Sequence, residues 1–279
     1  MLPFSAPFRT LLAASVVSAA LSVPAFAAPN LVPHRAVYDI KLDQVRSSAN
    51  LAGLTGRMVI ELQGSACEGY TVNFRLVTQF SDSDGKTSTS DLRSSTFESG
   101  AGESFRFLTQ NYVNRSLNEE TNGVAQREDK ARTEVALSKP EVKRFDLPPD
   151  VLFPTEHLKR VIEAAEAGTR TLEAPVFDGS ESGEKVYQTS AVIGEPIPPE
   201  KEPKEVAAKQ AELRGLTRWP VTISYYEGAD KGGEQTPVYE VSFELYANGV
   251  SRDLLLDYGD FAIRGELSSF SVLPTAACP

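Results

Sequence analysis

Two cysteines, two histidines, two methionines and one tryptophan are all that 279 residues hold of those types. Each scarcity excludes a chemistry. A zinc site wants four ligands in close sets, and Cys67 and Cys278 form neither such a set nor a C-x-x-C redox pair. His34 and His157 stand alone, and no H-E-x-x-H, G-x-S-x-G or phosphate-loop pattern occurs. His157, set between Glu156 and Leu158 in a helical stretch, reads as a structural or surface group. Asp257-Tyr258-Gly259-Asp260 lacks a complete calcium-loop pattern, so its aspartates read as turn and strand-end residues. No catalytic residue, metal or cofactor is expected, and the chain reads as no enzyme. Positive charge is scarce as well: 28 Lys and Arg against 38 Asp and Glu leave a formal net charge of −10. That balance argues against nucleic acid and against charge-driven docking on an anionic lipid surface.

Long apolar runs are missing after the first residues. The start carries Arg9, an apolar run from Leu11 to Val23, Pro24 and a small-x-small "AFA" at Ala25–Ala27. A run of about 13 residues is shorter than the ~20 a spanning helix needs. Residues 1–27 are therefore expected to be a secretory signal peptide. No later stretch predicts a transmembrane segment. An exported chain meets an oxidising compartment, where a cysteine pair tends to form a disulfide. Two cysteines allow one intramolecular pairing; free thiols and an intermolecular bridge stay open at this point.

What the chain has in quantity is period two. Tyr70, Val72, Phe74, Leu76 and Phe80 alternate with Thr71, Asn73, Arg75 and Gln79. Similar alternation runs through Ala36–Leu42, Leu54–Leu62, Val221–Tyr225 and Tyr239–Leu245. It marks strands with one face buried, as in antiparallel sheets. Asn248-Gly249 supplies a two-residue hairpin turn. Residues 123–137 have little apolar content and read as a solvated hairpin or edge. Residues 195–218, rich in proline, glutamate and lysine, read as an exposed linker with a short helix near Glu205–Leu213. One main helix is expected at about 155–167, with Thr155 as N-cap and Leu158, Val161, Ile162 and Ala165 as its apolar stripe. Roughly ten to fourteen strands around one helix predict a mainly β chain, a single curved antiparallel sheet or barrel-like domain over 28–279.

Five blocks carry a resemblance. "PHRAVYDI" (Pro33–Ile40), "GRMVIELQGSACEGYTVNFRLVTQF" (Gly56–Phe80), "FPTEH" (Phe153–His157), "WPVTISYY" (Trp219–Tyr226) and "LYANGVSRDLLLDYGDFAIRGEL" (Leu245–Leu267) resemble the DUF1849 family. The resemblance implies a periplasmic monomer folded as an open, overlapping β-spiral, similar in shape to lipoprotein carriers of the LolA/LolB kind, with the helix on its concave side. It implies a disulfide between Cys67 and Cys278, and a role in cell-envelope integrity alongside a periplasmic tetratricopeptide-repeat protein. The expected function is thus a non-enzymatic periplasmic factor that binds a protein partner or an envelope component. The alternative is a carrier that holds a hydrophobic ligand, a lipid, acyl chain or lipopeptide, in the concave face. The two part over whether Leu158, Val161 and Ile162 plug that face or line an open pocket.

Overall fold

The computed structural model describes residues 29–46, 50–128, 132–228 and 236–275. The strands are β1 (His34–Val45), β2 (Gly53–Ser65), β3 (Gly69–Ser81), β4 (Thr87–Glu98), β5 (Ser104–Val113), β6 (Ser116–Arg127), β7 (Thr133–Lys139) and β8 (Lys143–Leu147). Helix α1 (Pro154–Glu166) follows, then β9 (Thr171–Val176), β10 (Tyr187–Ile193), β11 (Arg218–Glu227), β12 (Tyr239–Tyr246), β13 (Ser251–Asp257) and β14 (Phe261–Val272). All fourteen strands form one sheet in the order β8-β7-β6-β5-β4-β3-β2-β1-β14-β13-β12-β11-β10-β9. Two meanders are joined at the centre by the antiparallel pairing of β1 with β14. The middle of the chain, around α1, links the two outer edges.

The sheet curls without closing. Strands β8 and β9 are not neighbours in the ladder. Helix α1 nevertheless packs on Leu62 and Tyr70 from β2 and β3, and on Ala191 and Val221 from β10 and β11. Strands β3 and β10 are seven ladder steps apart, about 34 Å on a flat sheet at ~4.8 Å per strand. A helix ~10 Å across reaches both only if the sheet wraps around it. The loop after β9 completes the curl. A Cβ on Gly179 would lie 2.4 Å from the Phe107 ring on β5, and its φ of +67° is a region open to glycine. Thr121 on β6 donates its hydroxyl to the Glu181 carbonyl oxygen.

Alternation fills the inside. Register places Leu62 opposite Val72, Ile60 opposite Phe74 and Met58 opposite Leu76, all on one face. One cluster joins that face to α1, a second centres on β1, β13 and β14, and a third gathers Phe105, Phe107, Phe153 and Phe177.

Two sequence expectations need correction. The hairpin of β6 and β7 is not simply solvated: Ala125, Val135 and Leu137 are buried against Phe105 and Phe107. Its inward residues are small or few, so the polar outer face dominates the composition. The segment 195–218 is not an exposed linker throughout. Ala207 and Ala208 in a short 3-10 helix (Val206–Lys209), together with Leu213, pack beside Tyr246, Val250 and Phe270. Arg218 opposes Tyr246 and Arg252 opposes Glu244, so these polar groups share one face. Glu244 binds both arginines, and Glu205 of the excursion binds Arg252. Balanced charges with hydrogen-bonded partners make the burial of Arg218 and Arg252 tolerable.

Candidate binding site

The concave face is closed at one end by α1. Val161 and Ile162 are 1% and 0% exposed, and Leu158 is half-buried beside them. These three residues pack in one cluster with Leu62, Tyr70, Trp219 and Ile223. The start of α1 differs from expectation. Phe153 is the N-cap position, Pro154 opens the helix and no side chain within the helix caps it. Thr155 lies inside the first turn because Pro154 presets the helical φ before it. The cap comes instead from the sheet. Glu98 on β4, 5% exposed, accepts the Thr155 N–H at 2.8 Å and the Glu156 N–H at 3.0 Å. Burial raises the Glu98 carboxyl above its ordinary value, and those N–H groups pull it part of the way back.

His157 is buried in the same helix. Thr189 spends its proton on the Ala174 carbonyl at 2.8 Å, so the 3.3 Å contact to His157 requires Nε2–H to donate. Burial lowers the imidazole to about 4, which keeps it neutral. Its place in the helix packing is structural.

The opposite end carries aromatic rings. Tyr225 and Tyr239 face each other across β11 and β12 and stack at 4.2 Å. Tyr187 meets both edge-on at 5.9 Å. Tyr258 continues the row to Phe261, 5.2 Å away. Burial raises the hydroxyls of Tyr225 and Tyr239, and the nearby Asp178 carboxyl adds to that. A cavity of about 130 Å³ lies next to this row, between Leu76, Phe80, Leu92, Asn111, Tyr258 and Phe261.

A wider cleft of about 530 Å³ follows the line where the curled sheet's edges approach each other. Leu172 and Glu173 of β9 form one wall, and Val151, Leu152, Glu156 and Arg160 the other. Arg127 anchors that line. It donates to the carbonyls of Gly102 and Val151 and to Glu156, each at 2.8 Å, and lies 4.4 Å over the Phe153 ring. Neither Arg127 nor Glu98 stands out in the sequence. Both act across strands, and the only signal available was a charged residue at the end of an alternating run.

Cys67 sits in the turn between β2 and β3, and Cys278 lies outside the described residues. His34 pairs with both Leu62 and Val272, so that turn and the end of β14 share one rim of the sheet. No described helix is long and apolar enough to cross a membrane.

With this geometry in place, known proteins bear directly on it. The cell envelope integrity protein EipB of Brucella abortus (strain 2308) is 40% identical over 257 residues, covering 90% of this chain and 88% of its own. A crystal structure of a β-barrel-like protein of domain of unknown function DUF1849, also from Brucella abortus, matches with a TM-score of 0.81 and 39% identity. It covers 88% of this chain and 100% of that one. Its barrel-like description suits a sheet that curls round a helix and stays open. Because the EipB-like family profile also spans residues 25–274, nearly the whole curled sheet, the chain belongs to the EipB-like family.

Proposed function

We propose that this chain is a non-enzymatic periplasmic factor of cell-envelope integrity that acts by binding a protein partner. Family membership and the name of the 40% identical relative support the envelope role. The signal-like residues 1–27 support export. A periplasmic tetratricopeptide-repeat protein is the partner class that the family resemblance implies.

Volume carries the choice of a partner over a lipid cargo. Inside the curl, Val161 and Ile162 pack against the sheet, and the cavity beside Tyr258 and Phe261 holds about 130 Å³. Sites that enclose a small ligand run to roughly 300–1,000 Å³. An acyl chain in the space that α1 fills would have to displace it from Leu62, Tyr70 and Trp219. The cleft of about 530 Å³ lies at the sheet edges and is lined by Arg127, Asp150, Glu156, Arg160 and Glu173, charged groups that suit a protein segment and not an acyl chain.

The test is purification of the native chain from the periplasm, followed by mass spectrometry of an organic extract and of co-purifying protein. A clean extract with a stoichiometric protein is expected. A stoichiometric lipid with no protein overturns the reading in favour of the carrier.

A further inference from the structure

Strand β9 ends the sheet, and its outer side is mostly empty. Backbone groups alternate along a strand, pointing in turn to one neighbour and the other. The Arg170 carbonyl accepts the Ile193 N–H, so even-numbered positions face β10. Odd positions face outward. There the Pro175 carbonyl accepts the Leu152 N–H at 2.8 Å, and the Phe177 N–H donates to the Leu152 carbonyl at 3.0 Å. These two bonds form an isolated parallel bridge between Leu152 and Val176. The same alternation aims the N–H and C=O of Thr171 and Glu173 outward, and no backbone partner meets them among the described residues.

The chain starts a fifteenth strand here and abandons it. Pro148 and Pro149 turn the backbone aside before Val151, whose N–H closes a turn on the Pro148 carbonyl at 3.3 Å. The space that a longer strand would fill is the cleft of about 530 Å³ beside Leu172 and Glu173. Its far wall offers Arg160, exposed and no closer than 3.9 Å to its carboxylate neighbour Glu156. Val151 and Leu172 add apolar surface.

We propose that the outer edge of β9 takes an extended segment of the protein partner as an added strand, in line with the bridge that Leu152 begins. The segment hydrogen-bonds to Thr171 and Glu173 through the backbone, as strand addition does elsewhere. An acidic side chain on it pairs with Arg160. Pro175 and the charged Glu173 keep this edge from pairing with strands at random. The inference rests on the partner reading above and specifies its mode.

The test separates backbone from side chain at one position. Glu173→Pro deletes an outward N–H and leaves the bonds to β10 alone; Pro175 already occupies the same outward row. Glu173→Ala deletes only the side chain. Each variant is purified from the periplasm beside the native chain, with its melting temperature as the check on folding. We expect Glu173→Pro to lose the co-purifying protein by about tenfold and Glu173→Ala to keep it within about twofold. Equal retention by both variants overturns strand addition and leaves the partner reading standing. No protein with the native chain overturns the partner reading itself. If Glu173→Pro fails to fold, hydrogen exchange on the native complex decides. Slower exchange of the Thr171 and Glu173 amides on binding supports the proposal, and unchanged exchange overturns it.

Discussion

The Glu98 carboxylate and the Thr155 backbone N–H lie 2.8 Å apart across 57 positions of sequence. The sheet thus supplies the cap of the helix that fills it. Burial sets the Glu98 carboxyl above its ordinary 4.5. A carboxyl raised in this way binds its proton more readily in the folded chain. Its contribution to stability is fully present below the unfolded value and is lost as pH rises through the folded one. Glu98→Gln lacks this titration. The variant should therefore gain on the native chain as pH rises from about 4 to about 7. Melting curves across that window check it, and a stability gap that stays constant or moves the other way refutes the assignment.

Among the described residues the buried Tyr70 hydroxyl has no hydrogen-bond partner, while its ring packs under Lys159 at 4.5 Å. An unpaired buried hydroxyl costs roughly 1–3 kcal/mol. Tyr70→Phe keeps the ring in the α1 interface and removes that cost. Its unfolding free energy should rise by about 1 kcal/mol, read as a shift in the denaturation midpoint. A loss of stability would show that the hydroxyl is satisfied.

Glu205 ties the excursion over 195–217 to Arg252, whose side chain is only 5% exposed. Glu205→Ala leaves a buried guanidinium with Glu244 alone, which Arg218 also uses. Breaking a buried pair from one side costs about 3–5 kcal/mol. Limited trypsin digestion should then cut at Lys201, Lys204 or Lys209 well before the native chain is cut. Unchanged digestion would place the anchor of this segment in Ala207, Ala208 and Leu213 instead.

We propose that Cys67 pairs with Cys278. Two strand spacings of ~4.8 Å separate the end of β14 from β2, and the three residues after Thr275 span up to ~10 Å. A bridge closing so long a loop contributes up to about 5 kcal/mol. Cys67→Ser should melt at lower temperature and digest faster, yet still fold around its own core. Identical melting of reduced and non-reduced native chain would count against a stabilising bond.

The strands were legible wherever large residues mark the inner face. In β3, Tyr70, Val72, Phe74, Leu76 and Phe80 all face inward together. Helix α1 was legible from Leu158, Val161 and Ile162, which pack as one stripe. Less showed where the inward side chain is small. Gly123 and Ala125 on β6 make room for Phe107 and Phe105, and neither advertises a strand. The burial of Ala207 and Ala208 was hidden by the charged residues around them. The helix cap and the open edge of β9 depend on partners far along the chain, so no local pattern announces them.

The pairing of β1 with β14 has a cost in time. The first strand made has β2 on one side and waits on the other for the last, and their register runs from His34 with Val272 to Val45 with Phe261. Until β14 is made, the middle of the finished ladder is a raw border. Contacts of such long sequence separation form slowly. Loss of β14 (Phe261–Val272) would split the fold at its centre, where the loss of β8 would only trim its margin.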